Sequence, residues 1–209
     1  MRAIIIGGGT APSKNLLESY LREDYFIIAA DGGANVLNEY GIVPKYLMGD
    51  FDSIDENTYA KLECNSEVTR FPREKDYTDS HIAYKKAVEL GADEIILLGC
   101  TGKRMDHFMA NLGILYDGLK NNIKVIMADD YNEMFLIDKG IHLKGYAGQV
   151  FSVFSYGEDT KDLTLTGVKY PLTNYYLSTT DNLTVSNEII EKEANISFSK
   201  GCLLVITNN

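Results

Sequence analysis

The sequence predicts an α/β protein: an N-terminal, largely parallel sheet with helices on both faces, followed by a C-terminal all-β sandwich or flattened barrel. Three observations carry that prediction. Short apolar runs alternate with helical patterns through the first 128 residues. Several of these runs are apolar at consecutive positions. Beyond residue 129 the helical period gives way to short alternating runs punctuated by Gly, Asp and Asn. Strands alternating with helices form βα units, and strands apolar on both faces belong inside a parallel sheet covered on both sides.

In chain order, residues 3–6, 26–30, 46–48, 67–71, 94–98 and 124–128 read as the strands of the first domain. The clearest helix runs over 106–120, where Phe108, Leu112, Leu115, Tyr116 and Leu119 recur on one face. Ser53-Ile54-Asp55-Glu56 has capping-box spacing and starts a helix toward Leu62. Thr78 or Asp79 caps another, which runs to Glu89. The second domain offers strands at 134–137, 141–144, 150–155, 163–166, 196–198 and 203–207, separated by Gly-containing turns. A short, stiff junction near 129–132 sets the boundary, giving domains of 1–128 and 129–209.

With 209 residues, 45% of them hydrophobic, the chain buries a core without disulfide or metal staples. Acidic residues number 30 against 20 basic, and the net charge of −10 argues against a general nucleic-acid or anionic-membrane binder. Cys64, Cys100 and Cys202 form no CxxC pair, so buried reduced thiols are expected rather than a disulfide framework or a thiolate zinc site. The apolar start is too short for a signal peptide, and no run approaches the ~18 apolar residues of a membrane span. These features predict a soluble, cytoplasmic protein.

Ligands of an open α/β sheet bind beyond the carboxyl ends of its strands. Five loops fall at that end: Gly7-Gly8-Gly9-Thr10, Asp31-Gly32-Gly33-Ala34-Asn35, Gly49-Asp50-Phe51-Asp52-Ser53, Lys75-Asp76-Tyr77-Thr78-Asp79, and Gly99 through His107. The first lacks GxGxxG spacing, because Pro12 stands where the third Gly belongs. It is either a tight turn needing positive φ or a backbone that approaches a nucleotide closely. Asp50 and Asp52, two residues apart after a strand, can reach one cation or serve as turn and cap residues. In the last loop Arg104, Asp106 and His107 open a helix beside Thr101, Gly102 and Lys103. Helix-terminal amides and an Arg fork suit phosphate oxygens. Asp50, Asp52, Asp79 and Asp106 beside Arg104 and Lys75 make a metal–phosphate centre, because carboxylates gather in one cleft only when cations hold them.

Asp31-Gly32-Gly33-Ala34-Asn35, the segment 49–54, Thr78-Asp79 and Thr101-Gly102-Lys103-Arg104-Met105-Asp106-His107 resemble, in order, the signature loops of bacterial thiamine pyrophosphokinases. Gly167-Val168-Lys169-Tyr170-Pro171-Leu172 and Ser186-Asn187-Glu188 are similar to the family's thiamine-binding domain. The resemblance covers essentially the whole chain. It implies transfer of a diphosphoryl group from ATP to thiamine, giving thiamine diphosphate and AMP. It further implies a nucleotide-binding catalytic domain over 1–128, a thiamine-binding domain over 129–209, and a homodimer with the substrate site between subunits. Asp50, Asp52 and Asp79 are then the Mg²⁺ ligands, and with Arg104 and Asp106 they make the catalytic set. The nucleotide falls to Gly8, Asp31, Gly32, Gly33, Asn35, Lys75, Thr101, Gly102, Arg104 and His107, and the thiamine to Ser186 and Asn187. Many bacterial relatives carry Gly where this chain has Thr184. The competing readings are another Mg²⁺-dependent nucleotide-using transferase, such as a glycosyltransferase using Asp50-Phe51-Asp52, and a non-catalytic thiamine or nucleotide sensor.

Overall fold

Ile4, Ile5 and Ile6 expose no surface, as consecutive strand residues do only when both faces of their sheet are covered. They belong to β1 (Arg2–Ile6) in a computed structural model that describes residues 1–21, 24–74, 76–102 and 104–208. The chain divides into two units, Met1–Asp130 and Tyr131–Asn209. In the first, β1 is joined by β2 (Tyr25–Ala30), β3 (Tyr46–Gly49), β4 (Glu67–Arg70), β5 (Glu94–Leu98) and β6 (Lys124–Ala128). They lie in the order β6-β5-β1-β2-β3-β4, and every pair is parallel. Ile4 sits between Ile27 and Ile96 in register. Each such aliphatic side chain contributes ~1.5–3 kcal/mol by leaving water.

The helices are α1 (Lys14–Tyr20), α2 (Gly33–Tyr40), α3 (Glu56–Leu62), α4 (Asp79–Glu89) and α5 (Met105–Lys120). Ser13 caps α1 by accepting from the Leu16 amide, and Thr78 caps α4 by accepting from His81. The capping box expected at Ser53 does not form. Asp55 is the N-cap residue of α3, Glu56 is its first residue, and Ser53 Oγ donates to the Asp52 carboxylate at 2.9 Å. The Asn35 side chain decides this, since its Oδ1 takes the Asp55 N–H at 3.1 Å and its Nδ2 donates to the Ser53 carbonyl at 2.9 Å. The chain builds outward from β1 to β4, then returns to the other flank of β1 as β5. That reversal opens a crevice at the carboxyl ends of β1 and β5.

The second unit is all β. One sheet has the order β12-β9-β14-β7, formed by β7 (Asn132–Ile137), β9 (Val150–Ser155), β12 (Asn187–Glu188) and β14 (Leu203–Asn208). The other runs β11-β10-β13-β8, formed by β8 (Ile141–Lys144), β10 (Thr160–Thr166), β11 (Leu172–Leu177) and β13 (Glu193–Ser197). All pairings within them are antiparallel. Phe151, Val153, Leu163, Leu165, Leu177, Ile196, Leu203 and Val205 form a fully buried core. The α/β-plus-β class is therefore the one predicted. The additions are β11, an irregular edge strand whose register against β10 shifts twice, and the two-residue β12. Among the described residues no helix is long and apolar enough to cross a membrane.

Candidate active site

Two loops interlock at the crevice. The Gly7 amide donates to the Leu98 carbonyl at 2.8 Å, Gly9 to Gly99 at 2.7 Å, and Thr10 to Thr101 at 2.7 Å. The chain leaving β1 thus runs alongside the chain leaving β5. A Cβ on Gly9 would lie 2.2 Å from the Thr101 oxygen and 2.6 Å from that of Gly99. None of Gly7, Gly8 and Gly9 takes a left-handed φ. A positive-φ turn is therefore not the reason for glycine here; the close approach of backbone to backbone is.

In the loops that follow β2 and β3, left-handed backbone falls on two non-glycine residues, Asp31 (φ 48°) and Phe51 (φ 66°). Each costs of order 1–2 kcal/mol in an L-residue, and such strain clusters at functional sites. The turns are tied together, with the Phe51 amide donating to Asp31 Oδ1 at 3.1 Å and the Asp52 amide to Asp50 Oδ1 at 3.0 Å. As a result Asp31, Asp50 and Asp52 present oxygens that all lie within 4.8 Å of one another. Burial, the largest influence, pushes the Asp31 carboxyl above the ordinary range. The Asp79 and Asp50 carboxylates add to that rise, and Ser53 opposes it. Three hard oxygen donors this close, each repelling the others, suit an Mg²⁺ ion.

A cavity of about 630 Å³ adjoins this group, walled by Gly8, Thr10, Asp31, Asp79, Arg104 and His107, with Thr101 also on its surface. Arg104 forms a two-pronged ion pair with Asp106, Nε to Oδ1 at 2.9 Å and Nη2 to Oδ2 at 2.6 Å. That guanidinium holds Asp106 well below the usual carboxylate range, and Asp106 lies outside the cavity wall. Gly102 (φ 135°) turns the chain toward Thr10. Gly33 packs against the Ile6 carbonyl, where a Cβ would come within 2.0 Å. Gly32 and Asn35 border a neighbouring groove of about 490 Å³ that shares Gly8 and Gly9 with the first cavity. Lys75 and Lys103 lie outside the described residues.

Sequence reasoning missed Asn111 on the cavity floor. It is buried in α5, and its Nδ2 donates to the Cys100 carbonyl at 2.8 Å, fixing the turn that carries Thr101. Its signal was a polar residue within the apolar stripe of that helix, three residues after Phe108 and four before Leu115. The Cys100 thiol beside it is pushed up to about 11 by burial.

In the second unit a cavity of about 260 Å³ is walled by Tyr170, Leu172, Leu183, Thr184, Val185 and Asn187. Asn187 is buried and its carboxamide is engaged by backbone. Oδ1 accepts from the Tyr170 and Glu188 amides at 3.1 and 2.9 Å, and Nδ2 donates to the Tyr170 carbonyl at 2.8 Å. Asn187 therefore shapes the wall that bears Tyr170. Ser186 (φ 58°) does not line this cavity; its amide donates to Ser152 Oγ at 3.0 Å. Thr184 is buried, and its hydroxyl donates to the Val153 carbonyl at 2.5 Å.

A parallel α/β sheet with a carboxylate-rich, glycine-walled crevice at its switch point, followed by an antiparallel β unit, has the architecture of a phosphate-handling transferase with an appended binding domain. Residues 17–127 match the family model for the thiamin pyrophosphokinase catalytic domain, and residues 138–203 that for the thiamin pyrophosphokinase vitamin B1 binding domain. The thiamine pyrophosphokinase of Bacillus subtilis is 37% identical over 208 residues, covering 97% of this chain and 96% of its own. A crystal structure of the Bacillus subtilis enzyme aligns with a TM-score of 0.90 at 34% identity, over 100% of this chain and 99% of the other. That of thiamin pyrophosphokinase from Geobacillus thermodenitrificans aligns at 0.88 and 33% identity, over 100% and 98%. The chain belongs to the thiamine pyrophosphokinase family, and it is an enzyme, a transferase.

Proposed function

We propose that this enzyme transfers the diphosphoryl group of ATP to the hydroxyl of thiamine, giving thiamine diphosphate and AMP. The observation that carries the chemistry is the convergence of the Asp31, Asp50 and Asp52 oxygens beside a cavity that also holds Asp79 and Arg104. Asp50, Asp52 and Asp79 are the proposed Mg²⁺ ligands, with Asp31 close enough to Asp50 and Asp52 to join them. Bound there, Mg²⁺ would neutralise phosphate charge as it builds. Gly8, Asp31, Gly32, Gly33, Asn35, Lys75, Thr101, Gly102, Arg104 and His107 form the proposed nucleotide site.

The thiamine oxygen bonds to the β-phosphorus while the bond from that phosphorus to the α–β bridging oxygen breaks, and AMP departs with the bridging oxygen. Arg104 holds phosphate oxygens, and the crevice aligns the two substrates, the main source of acceleration in such transfers. An Asp of the cluster, Asp79 or Asp106, would accept the hydroxyl proton. The 1–128 segment is the proposed catalytic domain and 129–209 the thiamine-binding domain. In a homodimer, Ser186 and Asn187 of one copy would serve the catalytic crevice of the other. A protein of this kind is expected to work in the cytoplasm.

The test is one reaction with ATP, Mg²⁺ and thiamine, resolved by chromatography. AMP and thiamine diphosphate in equal amounts support the reading. ADP with thiamine monophosphate moves the attack to the γ-phosphorus, and no thiamine-dependent turnover by folded protein rejects the activity.

A further inference from the structure

Asp79 is carried to the crevice by residues 71–78, a loop whose described part is exposed over most of its length. At its start the Phe71 amide donates to the Gly49 carbonyl at 2.9 Å, and Arg73 reaches Asp52 at 3.6 Å from a side chain 84% exposed. Its far end is held quite differently. The Tyr77 ring stacks on His81 with centroids 4.8 Å apart and planes 29° from parallel. Lys85 Nζ lies 3.3 Å from the Tyr77 ring centroid. His81 in turn meets the fully buried Tyr84 edge to face, with centroids 5.9 Å apart. His81, Tyr84 and Lys85 all belong to α4, so one exposed ring, 48% accessible, is clamped to the helix that Asp79 opens.

We infer that Tyr77 is a positioning residue: its ring, held by His81 and Lys85, fixes the turn that presents Asp79 to the crevice. Tyr77 does not line the cavity, whereas Thr78, Asp79 and Ser80 all do. Thr78 accepts the His81 amide at 3.3 Å, so the ring stack and the helix cap converge on a single turn of α4. Loops with few buried apolar contacts open at low cost, and a ring clamp at one end is the economical way to hold a carboxylate in register. Aromatic pairing and a cation over a ring face both depend on the π system, not on the hydroxyl. This assignment rests on the reading of Asp79 as a metal ligand.

The test uses full-length Tyr77→Ala, Tyr77→Leu and Tyr77→Phe, with thermal melts to establish folding. Mn²⁺ binding is followed by EPR in the presence of a non-hydrolysable ATP analogue, alongside kcat and the Mg²⁺ concentration for half-maximal rate. Tyr77→Ala and Tyr77→Leu are expected to weaken Mn²⁺ binding about five- to tenfold, about the factor that one lost ring contact supplies. They should raise the half-activating Mg²⁺ to match and leave the thiamine KM unchanged. Tyr77→Phe, which keeps the ring, restores wild-type values. The inference is overturned if Tyr77→Ala binds Mn²⁺ as the wild type does, or if it lowers only the melting temperature. It is also overturned if Tyr77→Phe falls as far as Tyr77→Ala. Wild-type protein that binds Mn²⁺ yet makes no AMP would count against the proposed reaction alone, because the EPR comparison still decides the role of Tyr77.

Discussion

The crevice of the first unit and the cavity of the second solve opposite problems. In the crevice, charge is concentrated: Asp31, Asp50 and Asp52 crowd together on backbone bent into the left-handed region. In the 260 Å³ cavity, charge is absent, and the one amide side chain in the wall, Asn187, is engaged by the backbone of Tyr170 and Glu188. Strained, mutually repelling groups are tolerated where a cation relieves them. A wall of Tyr, Leu and Val whose buried Thr184 and Asn187 are hydrogen-bonded is the kind of surface that holds a flat organic ring by shape. Under the proposed function, the first region would act on phosphate and the second would select what receives it.

The largest expected effect breaks the charged side of this contrast. Asp52→Asn keeps the shape of the side chain but removes the negative charge with which a carboxylate holds a hard cation. It should lower kcat at least about 100-fold, the scale for losing one electrostatic contact to a developing charge. Because Asp52 is exposed, the melting temperature should stay within about 2 °C. Near-normal turnover at saturating Mg²⁺ would remove Asp52 from the proposed ligand set. Next comes Gly9→Ala, which attacks the framework and leaves the charges in place. Its methyl would fall 2.2 Å from the Thr101 oxygen, so the paired loops must separate. A loss of about 2–3 kcal/mol is expected, read as a drop in melting temperature with faster hydrogen exchange at the Gly9 and Thr10 amides. Unchanged exchange there would mean that the loop pairing does not support the crevice.

Much of this was legible in one dimension. β5 and β6 occupy the residues expected, and β1, β2 and β3 differ by a residue at an end, because strands apolar on both faces announce themselves by composition. β11 was not legible. Its tyrosines and threonine give no clean alternation, and its pairing is irregular. For the site, the sequence shows that five loops share one end of a parallel sheet, a matter of connectivity. It does not show which carboxylates converge, since that depends on left-handed φ at Asp31 and Phe51, which neither residue type demands. The same limit applies to Asn187, whose type suits a ligand contact as well as it suits the backbone of Tyr170.

A smaller effect sharpens the uncharged side. Asn187→Asp is nearly isosteric but replaces the donor facing the Tyr170 carbonyl with an oxygen, leaving that carbonyl without its partner. The wall bearing Tyr170 should loosen, raising the thiamine KM about tenfold, equivalent to about 1.4 kcal/mol, while kcat and the ATP KM stay within about twofold. A fall in kcat with unchanged thiamine KM would instead place Asn187 in the transition state and erase the distinction drawn between the two regions.

The smallest effect is a null result with a sign that can be worked out. Cys100 lies on the crevice floor and Cys202 is buried in the second unit, whereas Cys64 is exposed. Burial disfavours the thiolate, so Cys100 is raised to about 11 and stays protonated from pH 6 to 9. The thiolate is the nucleophile, so alkylation at Cys100 should be negligible through that range and should rise only as pH approaches 11. Iodoacetamide at pH 8 should therefore modify Cys64 alone, by peptide mass spectrometry, with turnover unchanged. Rapid labelling of Cys100 would show that the crevice floor opens to solvent. Such opening would release the Cys100 carbonyl from Asn111 and undo the rigidity on which the charged site depends. Protection of both buried thiols would mean instead that the crevice floor around Cys100 and the interior around Cys202 stay closed to the reagent.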